Sequence, residues 1–330
     1  MEKDWYSIDQ VDKLDSPALV LFPDRIQYNL NQLKLMVGDD LLRLRPHIKT
    51  HKSREVVNMC LNSGITQFKC ATIAEAEILG MAEAPDVLLA YQPTGPKLIR
   101  FIQLVQTYPQ SHFSCLVDNL DSALEISNLG RINQINIPVF IDLNIGMNRT
   151  GILPGEKAKN LIQALITMEG IQIKGLHAYD GHVHDPEYSL RHQKVKEINI
   201  RLEIFKAQIH TILAEPLWVL GGSPTFPLHA LEKGIQCSPG TFIYWDYHYQ
   251  NAFPEQKFQT AALVITRIIS VLEGNRLCLD LGHKSIGAEN PIERRIYFLN
   301  APELKVLSQS EEHMVVEAPE NHSYRVGWVL

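Results

Sequence analysis

The chain has 330 residues and a formal net charge of −6, long enough for one large domain or two unequal ones and too acidic to offer a broad basic field to nucleic acid or an anionic membrane. Its five cysteines (Cys60, Cys70, Cys115, Cys237 and Cys278) are odd in number and include no Cys-x-x-Cys pair, which argues for a reducing compartment and against a disulfide framework. The acidic N-terminus lacks the apolar stretch of a signal peptide, and no uncharged apolar run approaches the ~20 residues of a membrane span, so a soluble, cytoplasmic protein is expected.

In chain order, short apolar runs alternate with longer amphipathic ones. The segment "SPALVLF" (16–22) reads as a strand ahead of the repeat. Strands are then expected at "LLRLRPH" (41–47), "QFKCAT" (67–72), "DVLLAY" (86–91), "HFSCLV" (112–117), "IPVFIDL" (137–143), "IKGLHAY" (173–179), "LWVLGG" (217–222) and "GIQCSPG" (234–240). Helical stretches lie between them, among them "SREVVNMCLNSG", "TIAEAEILGMAE" and "GEKAKNLIQALITM". The longest is expected to start at Pro186, since proline suits a first helical turn. Strand–helix repetition implies a parallel sheet covered by helices. Eight repeats in about 250 residues match a closed (β/α)8 barrel; an open doubly wound sheet is the alternative. After about Phe253 the pattern changes to alternating apolar residues with turn signals such as Glu273-Gly274-Asn275, the mark of antiparallel strands. Residues 23–253 are therefore read as the barrel. Residues 1–22 and 254–330 are read as a second, β-rich domain.

Active sites of (β/α)8 barrels gather at the C-terminal ends of the strands, and there the ionisable residues concentrate. Strand 1 runs into "RLRPHIKTHK". Along an extended chain His47, Lys49 and His51 would share one face. Three such groups repel one another: a solvated edge strand tolerates that, and an enzyme uses it to lower a lysine pKa. Strand 5 leads into "DLNIGMNRTG" and strand 6 into "LHAYDGHVHD". Strands 7 and 8 end in "GGSPT" and "SPGT", where Gly221, Gly222, Ser223, Thr225, Gly240 and Thr241 offer close backbone approach, amides and hydroxyls. Barrels frequently bind phosphate in these two loops. A phosphate site facing a crowded lysine points to pyridoxal 5′-phosphate (PLP), which carries a phosphate and an aldehyde and takes a Schiff-base lysine.

"RPHIKTHK", "GMNRTG", "GLHAYDGH", "GGSPT" and "SPGT", in that order, resemble the alanine-racemase-like (fold type III) PLP enzymes. Within them the chain is most similar to the D-threonine aldolase and D-serine dehydratase branch. The resemblance covers nearly the whole chain and implies that Lys49 forms the Schiff base, flanked by His47 and His51 as further catalytic residues. It places the phosphate at Gly221–Thr225 and Gly240–Thr241, His177 and Tyr179 against the cofactor, and Arg149 near its phenolic oxygen. A homodimer acting on a small amino acid is also implied.

Two departures shape the expected activity. Ser238 stands where racemases of this fold carry an arginine facing the pyridine nitrogen, and the racemase tyrosine of the second domain has no counterpart, so racemisation ranks low. The branch also carries a C-terminal metal pair, a histidine followed two residues on by Cys or Asp. The sequence stops at Leu330, just before the pair is due, so a divalent ion (Mn or Zn) is expected only if that pair exists. His182 and His184 in "HVH" have the spacing for one ion, but their place near the mouth makes substrate contact the preferred reading. The expected reaction is cleavage of D-configured β-hydroxy amino acids to glycine and an aldehyde. A D-serine-dehydratase-like elimination, an amino-acid racemase and a non-catalytic PLP carrier are the alternatives.

Overall fold

The computed structural model describes residues 4–330. Strands in chain order are β1 (Ala18–Leu21), β2 (Gln67–Cys70), β3 (Asp86–Leu89), β4 (His112–Val117), β5 (Ile137–Leu143), β6 (Ile171–Ala178), β7 (Leu217–Leu220) and β8 (Ile235–Cys237). They continue with β9 (Ala262–Ile265), β10 (Ile268–Leu272), β11 (Arg276–Leu279), β12 (Lys305–Gln309) and β13 (Met314–Glu317). Helices are α1 (Pro23–Met36), α2 (Arg54–Asn62), α3 (Ile73–Met81), α4 (Pro96–Thr107), α5 (Leu120–Ile132), α6 (Glu156–Ile166), α7 (Tyr188–Ile209), α8 (Phe226–His229) and α9 (Tyr247–Ala252). Contacts divide the chain into two compact units, Asp24–Gln259 and, in the other, the described residues up to Pro23 with Thr260–Leu330.

In the larger unit β2 to β8 form one parallel sheet in sequence order. The first stave differs from expectation. Leu41–Arg43 is a 3-10 turn, and only Leu44–His47 runs extended. That segment nonetheless bridges both ends of the sheet: Leu44 pairs with Cys237 and His47 with Lys69, both parallel. The Arg45 amide donates to the Cys237 carbonyl and the Lys69 amide to that of Pro46, each at 2.9 Å. The ring therefore closes, which excludes the open doubly wound sheet.

Local signals explain where the outer helices begin. Ser53 caps α2 by accepting the Val56 amide at 3.3 Å, and Asn119 caps α5 through Ser122 at 2.9 Å. Thr72 accepts the Glu75 amide, while Glu75 reaches back to the Ala71 amide, a variant of the capping box. Pro186 lies outside its helix: Glu187 is the N-cap and α7 starts at Tyr188.

The barrel interior is layered. At the N-terminal ends of the strands Asp86 accepts from Arg45 (2.7 Å) and Lys174 (2.6 Å), and Arg45 also reaches Gln236 at 2.9 Å. Above this polar floor lie the buried side chains of Leu88, Leu116, Phe140 and Val219. The mouth lies above them.

In the smaller unit β1 pairs antiparallel with β9, Leu19 opposite Val264. A separate antiparallel sheet has the order β10–β11–β13–β12 over a core of Ile268, Leu277, Leu279, Met314 and Val316. Gly274 and Asn275, with φ of 71° and 57°, make the turn between β10 and β11, as a tight hairpin requires. Near the end of the chain Val329 makes only an isolated antiparallel bridge to Arg267, and β12 is the largely exposed edge strand of the four-stranded sheet. No described helix is long and apolar enough to cross a membrane.

Candidate active site

Lys49 does not lie on a strand. Ile48–Thr50 is a 3-10 turn, so the alternate-face argument for His47, Lys49 and His51 is corrected. The turn is built by the two histidines. His47 Nδ1 accepts the Lys49 amide, and His51 Nδ1 accepts the Ser53 amide, both at 3.2 Å. An imidazole that accepts at Nδ1 is a neutral one carrying its proton at Nε2. Burial agrees with this, together with the charges of Lys69 and Lys49 in the case of His47. The His47 pKa falls well below the usual value, and that of His51 falls to about 4. Buried Ile48 anchors the turn while Lys49 stays accessible. The amine of Lys49 reaches into the mouth, where burial of its tip and then the charge of Arg149 lower its pKa, with Glu75 partly offsetting them.

The mouth centres on Tyr179. Arg149 Cζ lies 5.2 Å from its ring centroid, and the amines of Lys49 and Lys69 each lie at 5.9 Å, the range of cation–π attraction. Arg149 sits on a loop folded by Asn144, whose side-chain oxygen accepts the Gly146 and Asn148 amides. Asp118 accepts the Gly151 amide from the other side.

His177 points Nδ1 at Asp142 Oδ1, 2.7 Å away, and Thr150 donates to the other carboxylate oxygen at 2.8 Å. Burial, with the charges of Lys69 and Arg149, lowers the His177 pKa although Asp142 opposes it. Asp142 stays below the usual carboxylate range because the bond from His177, with Thr150 and Lys69, outweighs its own burial. A neutral His177 therefore donates from Nδ1, and its Nε2 is buried with no partner. Ser238 Oγ and Tyr244 Oη are likewise buried without one, and such atoms are costly unless a bound group completes them.

The loops after β7 and β8 meet at this mouth, with amides already engaged. Gly222 donates to Thr225 Oγ1 (3.3 Å), while Gly240 and Thr241 both donate to Ser223 Oγ (3.1 and 2.9 Å). Having accepted twice, the Ser223 hydroxyl still has one hydrogen to give. The glycines are needed for approach. A Cβ on Gly222 would come within 3.0 Å of the Tyr179 ring, and one on Gly240 within 3.2 Å of the His47 carbonyl. Gly221 has φ +76°. Thus Lys49, His47, His51, Arg149, His177, Tyr179 and both loops converge in one unit. His182 is half-buried with its ring over Gly146, whereas His184 is exposed and turned to the Gly181 carbonyl at 3.2 Å. Among the described residues no group of three His, Cys, Asp or Glu could hold a metal ion.

Sequence reasoning missed Lys69, the pair of Asp142 with His177, and Asp180 with His229. Lys69 is almost wholly buried on β2. Its pKa falls to about 7, through burial first and the charge of Lys49 second. A lysine inside the apolar run "QFKCAT" was a usable signal, because lysines are seldom buried without a function.

Comparison with known proteins identifies the fold. The family profile described as "Alanine racemase, N-terminal domain" matches residues 23–248. The chain belongs to that family. A second profile, "Putative serine dehydratase domain", matches residues 261–330. Among curated relatives, a D-threonine aldolase of Arthrobacter sp. is 25% identical over 85% of this chain and 75% of its own length. A D-threo-3-hydroxyaspartate dehydratase of Delftia sp. (strain HT23) is 25% identical over 72% of this chain and 63% of its own. The crystal structure of D-threonine aldolase from Filomicrobium marinum superposes with a TM-score of 0.85 at 25% identity, covering 93% of this chain and 83% of that one. The alanine-racemase-like fold, barrel and separate antiparallel unit alike, is the one expected.

Proposed function

We propose that the protein is a PLP-dependent lyase for D-configured β-hydroxy amino acids, cleaving D-threonine-like substrates to glycine and an aldehyde. The observation that carries this reading is the Lys49 amine, accessible at the barrel mouth and held with a lowered pKa beside Tyr179 and Arg149. A desolvated amine next to another cation is an activated nucleophile. The residues present fit the cofactor. His177 Nε2, Ser238 Oγ and Tyr244 Oη are unpartnered polar atoms around the mouth, and the spare hydrogen of Ser223 suits a phosphate. Lys49 would hold the aldehyde carbon and Arg149 the phenolic oxygen. His177 and Tyr179 would flank the ring, and residues 221–225 with 240–241 would hold the phosphate. When bound, PLP supplies an electron sink for charge developing at the substrate α-carbon. The chain's own part is to place the Lys49 amine, which would hold and return a proton near that carbon. Neutral His47 and His51 keep its turn rigid, and His182 stands at the entrance for substrate contact.

A dehydratase reading comes second, favoured by the profile match over residues 261–330. Both reactions would be helped by a divalent ion holding the β-hydroxyl. Racemisation ranks lower because Ser238 is no cation. A bare PLP carrier ranks lower because the chain has a second folded unit. A homodimer in the cytoplasm completes the proposal, and sedimentation checks the assembly. The decisive assay loads the protein with PLP, looks for a yellow, borohydride-quenchable band, and incubates it with D- and L-threonine and D-serine, with and without manganese or zinc. Glycine forming fastest from D-threonine supports the aldolase. Faster oxo acid from D-serine selects the dehydratase, and no band at all rejects PLP.

A further inference from the structure

Behind the loop after β7 lies a set of fully buried side chains that bond to one another and to the loop. Asp180, which follows Tyr179 at the end of β6, is 1% exposed, and His229 at the end of α8 and Thr225 at its N-cap are 0% exposed. Asp180 Oδ2 is 2.8 Å from His229 Nε2 and Asp180 Oδ1 is 3.0 Å from Thr225 Oγ1. The chain of bonds continues from Thr225 Oγ1 to the Gly222 amide at 3.3 Å.

The Thr225 hydroxyl has a single hydrogen and two acceptors in reach, Asp180 Oδ1 at 3.0 Å and the Gly222 carbonyl at 3.4 Å. The charged acceptor is the nearer one, and hydrogen bonds to an ionised group are roughly twice as strong. The hydrogen therefore goes to Asp180, which turns the oxygen lone pairs towards the Gly222 N–H. His229 in turn occupies the second carboxylate oxygen and so fixes which edge of Asp180 faces Thr225. Its ring also packs under Gly221, where a Cβ would lie 2.6 Å from His229 Cδ2. That contact and the positive φ of Gly221 hold the first residue of the loop.

We propose that Asp180 and His229 are positioning residues for the phosphate grip, setting the direction of the Thr225 hydroxyl and through it the shape of the Gly221–Thr225 loop. This rests on the reading of that loop as the phosphate holder. In Asp180→Asn the amide can present N–H to Thr225, which makes the hydroxyl an acceptor there, sends its hydrogen to the Gly222 carbonyl and frees the Gly222 amide. In His229→Gln a side-chain N–H can replace Nε2, whereas His229→Leu leaves one carboxylate oxygen of Asp180 unmet.

The test measures binding of PLP and of pyridoxal, which lacks the phosphate, to the purified apoprotein, with thermal stability followed in parallel. Asp180→Asn and His229→Leu should each weaken PLP at least tenfold and leave pyridoxal within twofold of wild type, and His229→Gln should recover most of the loss. A general loosening of the barrel would weaken both ligands alike, and that result overturns the proposal. So does PLP affinity within twofold of wild type in both Asp180→Asn and His229→Leu. Should Asp180→Asn not fold, the two His229 variants decide alone. Gly222→Val separates this inference from the reading beneath it. If it weakens PLP selectively while the Asp180 and His229 variants do not, the inference alone fails. If it too leaves the PLP-to-pyridoxal ratio unchanged, the loop does not hold the phosphate.

Discussion

The floor and the mouth of the barrel contain the same kinds of charge and treat them in opposite ways. At the floor Arg45 and Lys174 share Asp86, and the bonds they make hold its carboxyl below the usual range although burial opposes this. At the mouth Lys49, Lys69 and Arg149 surround an uncharged ring. Asp142 bonds to His177 and Thr150, and Asp180 to His229 and Thr225, so neither bonds to these cations, and together with Glu75 they offset the cations' crowding and burial only in part. Charges that satisfy one another keep a fold together; charges left unmatched are available to a ligand. Both layers belong to one interior, so the contrast separates structural polarity from functional polarity without any appeal to likeness.

The strongest way to break the contrast is to remove the amine that the mouth exposes. Lys49→Ala should abolish the borohydride-stable attachment of PLP while the protein unfolds at or above the wild-type temperature, because a crowded amine costs stability. Peptide mapping of the reduced wild-type enzyme checks the assignment, and label on Lys69 would transfer the role to the second lysine. The matching change at the floor, Arg45→Met, should leave PLP chemistry intact and destabilise the fold by about 3 kcal/mol, the usual cost of breaking a buried ion pair. Denaturant unfolding at pH 7 measures it. The loss should shrink below about pH 4. Asp86 has a folded pKa below its unfolded one, so its contribution is present above the unfolded value and disappears as the carboxyl is protonated.

The floor and mouth were unequally legible in the sequence. Strands with long apolar runs were readable to the residue, as in "HFSCLV" and "IPVFIDL", which became β4 and β5. The strand-end rule pointed to Lys49, Arg149, His177 and both glycine-bearing loops, which lie together at one mouth. The first stave was misjudged because its pairing is made of isolated bridges, and because a histidine can bond to the amide two residues on and turn the chain, which periodicity cannot show. Lys69, Asp180 and His229 were missed for a different reason. Their roles come from partners 20 to 110 positions away, brought close only by closure of the ring.

Lys69 permits a sharper test of what an unmatched charge costs. Its pKa of about 7 in the folded protein lies below the value near 10.4 of an unfolded lysine. Between these values the unfolded chain binds more protons, so stability should rise with pH across that window. Lys69→Met should remove that rise. The substitution should stabilise most below about pH 7, by a few kcal/mol at ~1.4 kcal/mol per pKa unit, and the gain should fade towards pH 10. Unfolding curves of both proteins across this range give the difference directly, and a difference independent of pH would mean that Lys69 finds an anionic partner in the folded state.

The smallest effect is expected where the floor meets water. Lys174 bonds to Asp86 as closely as Arg45 does, at 2.6 Å, but its side chain is 28% exposed where that of Arg45 is 0%. Solvent screens the pair and already hydrates the lysine, so its share of the interaction is that of a surface ion pair, about 0–1 kcal/mol. Lys174→Met should therefore cost less than 1 kcal/mol in denaturant unfolding, against about 3 kcal/mol for Arg45→Met. In the Lys174 variant Asp86 keeps Arg45. In the Arg45 variant it keeps only the half-solvated amine, and Gln236 loses its donor as well. High salt should narrow the difference between Lys174→Met and wild type and leave the Arg45→Met loss nearly unchanged, because screening reaches the exposed amine and not the buried guanidinium. Equal costs for the two would show that distance alone sets the strength of these pairs, and burial would then lose its place in the contrast between floor and mouth.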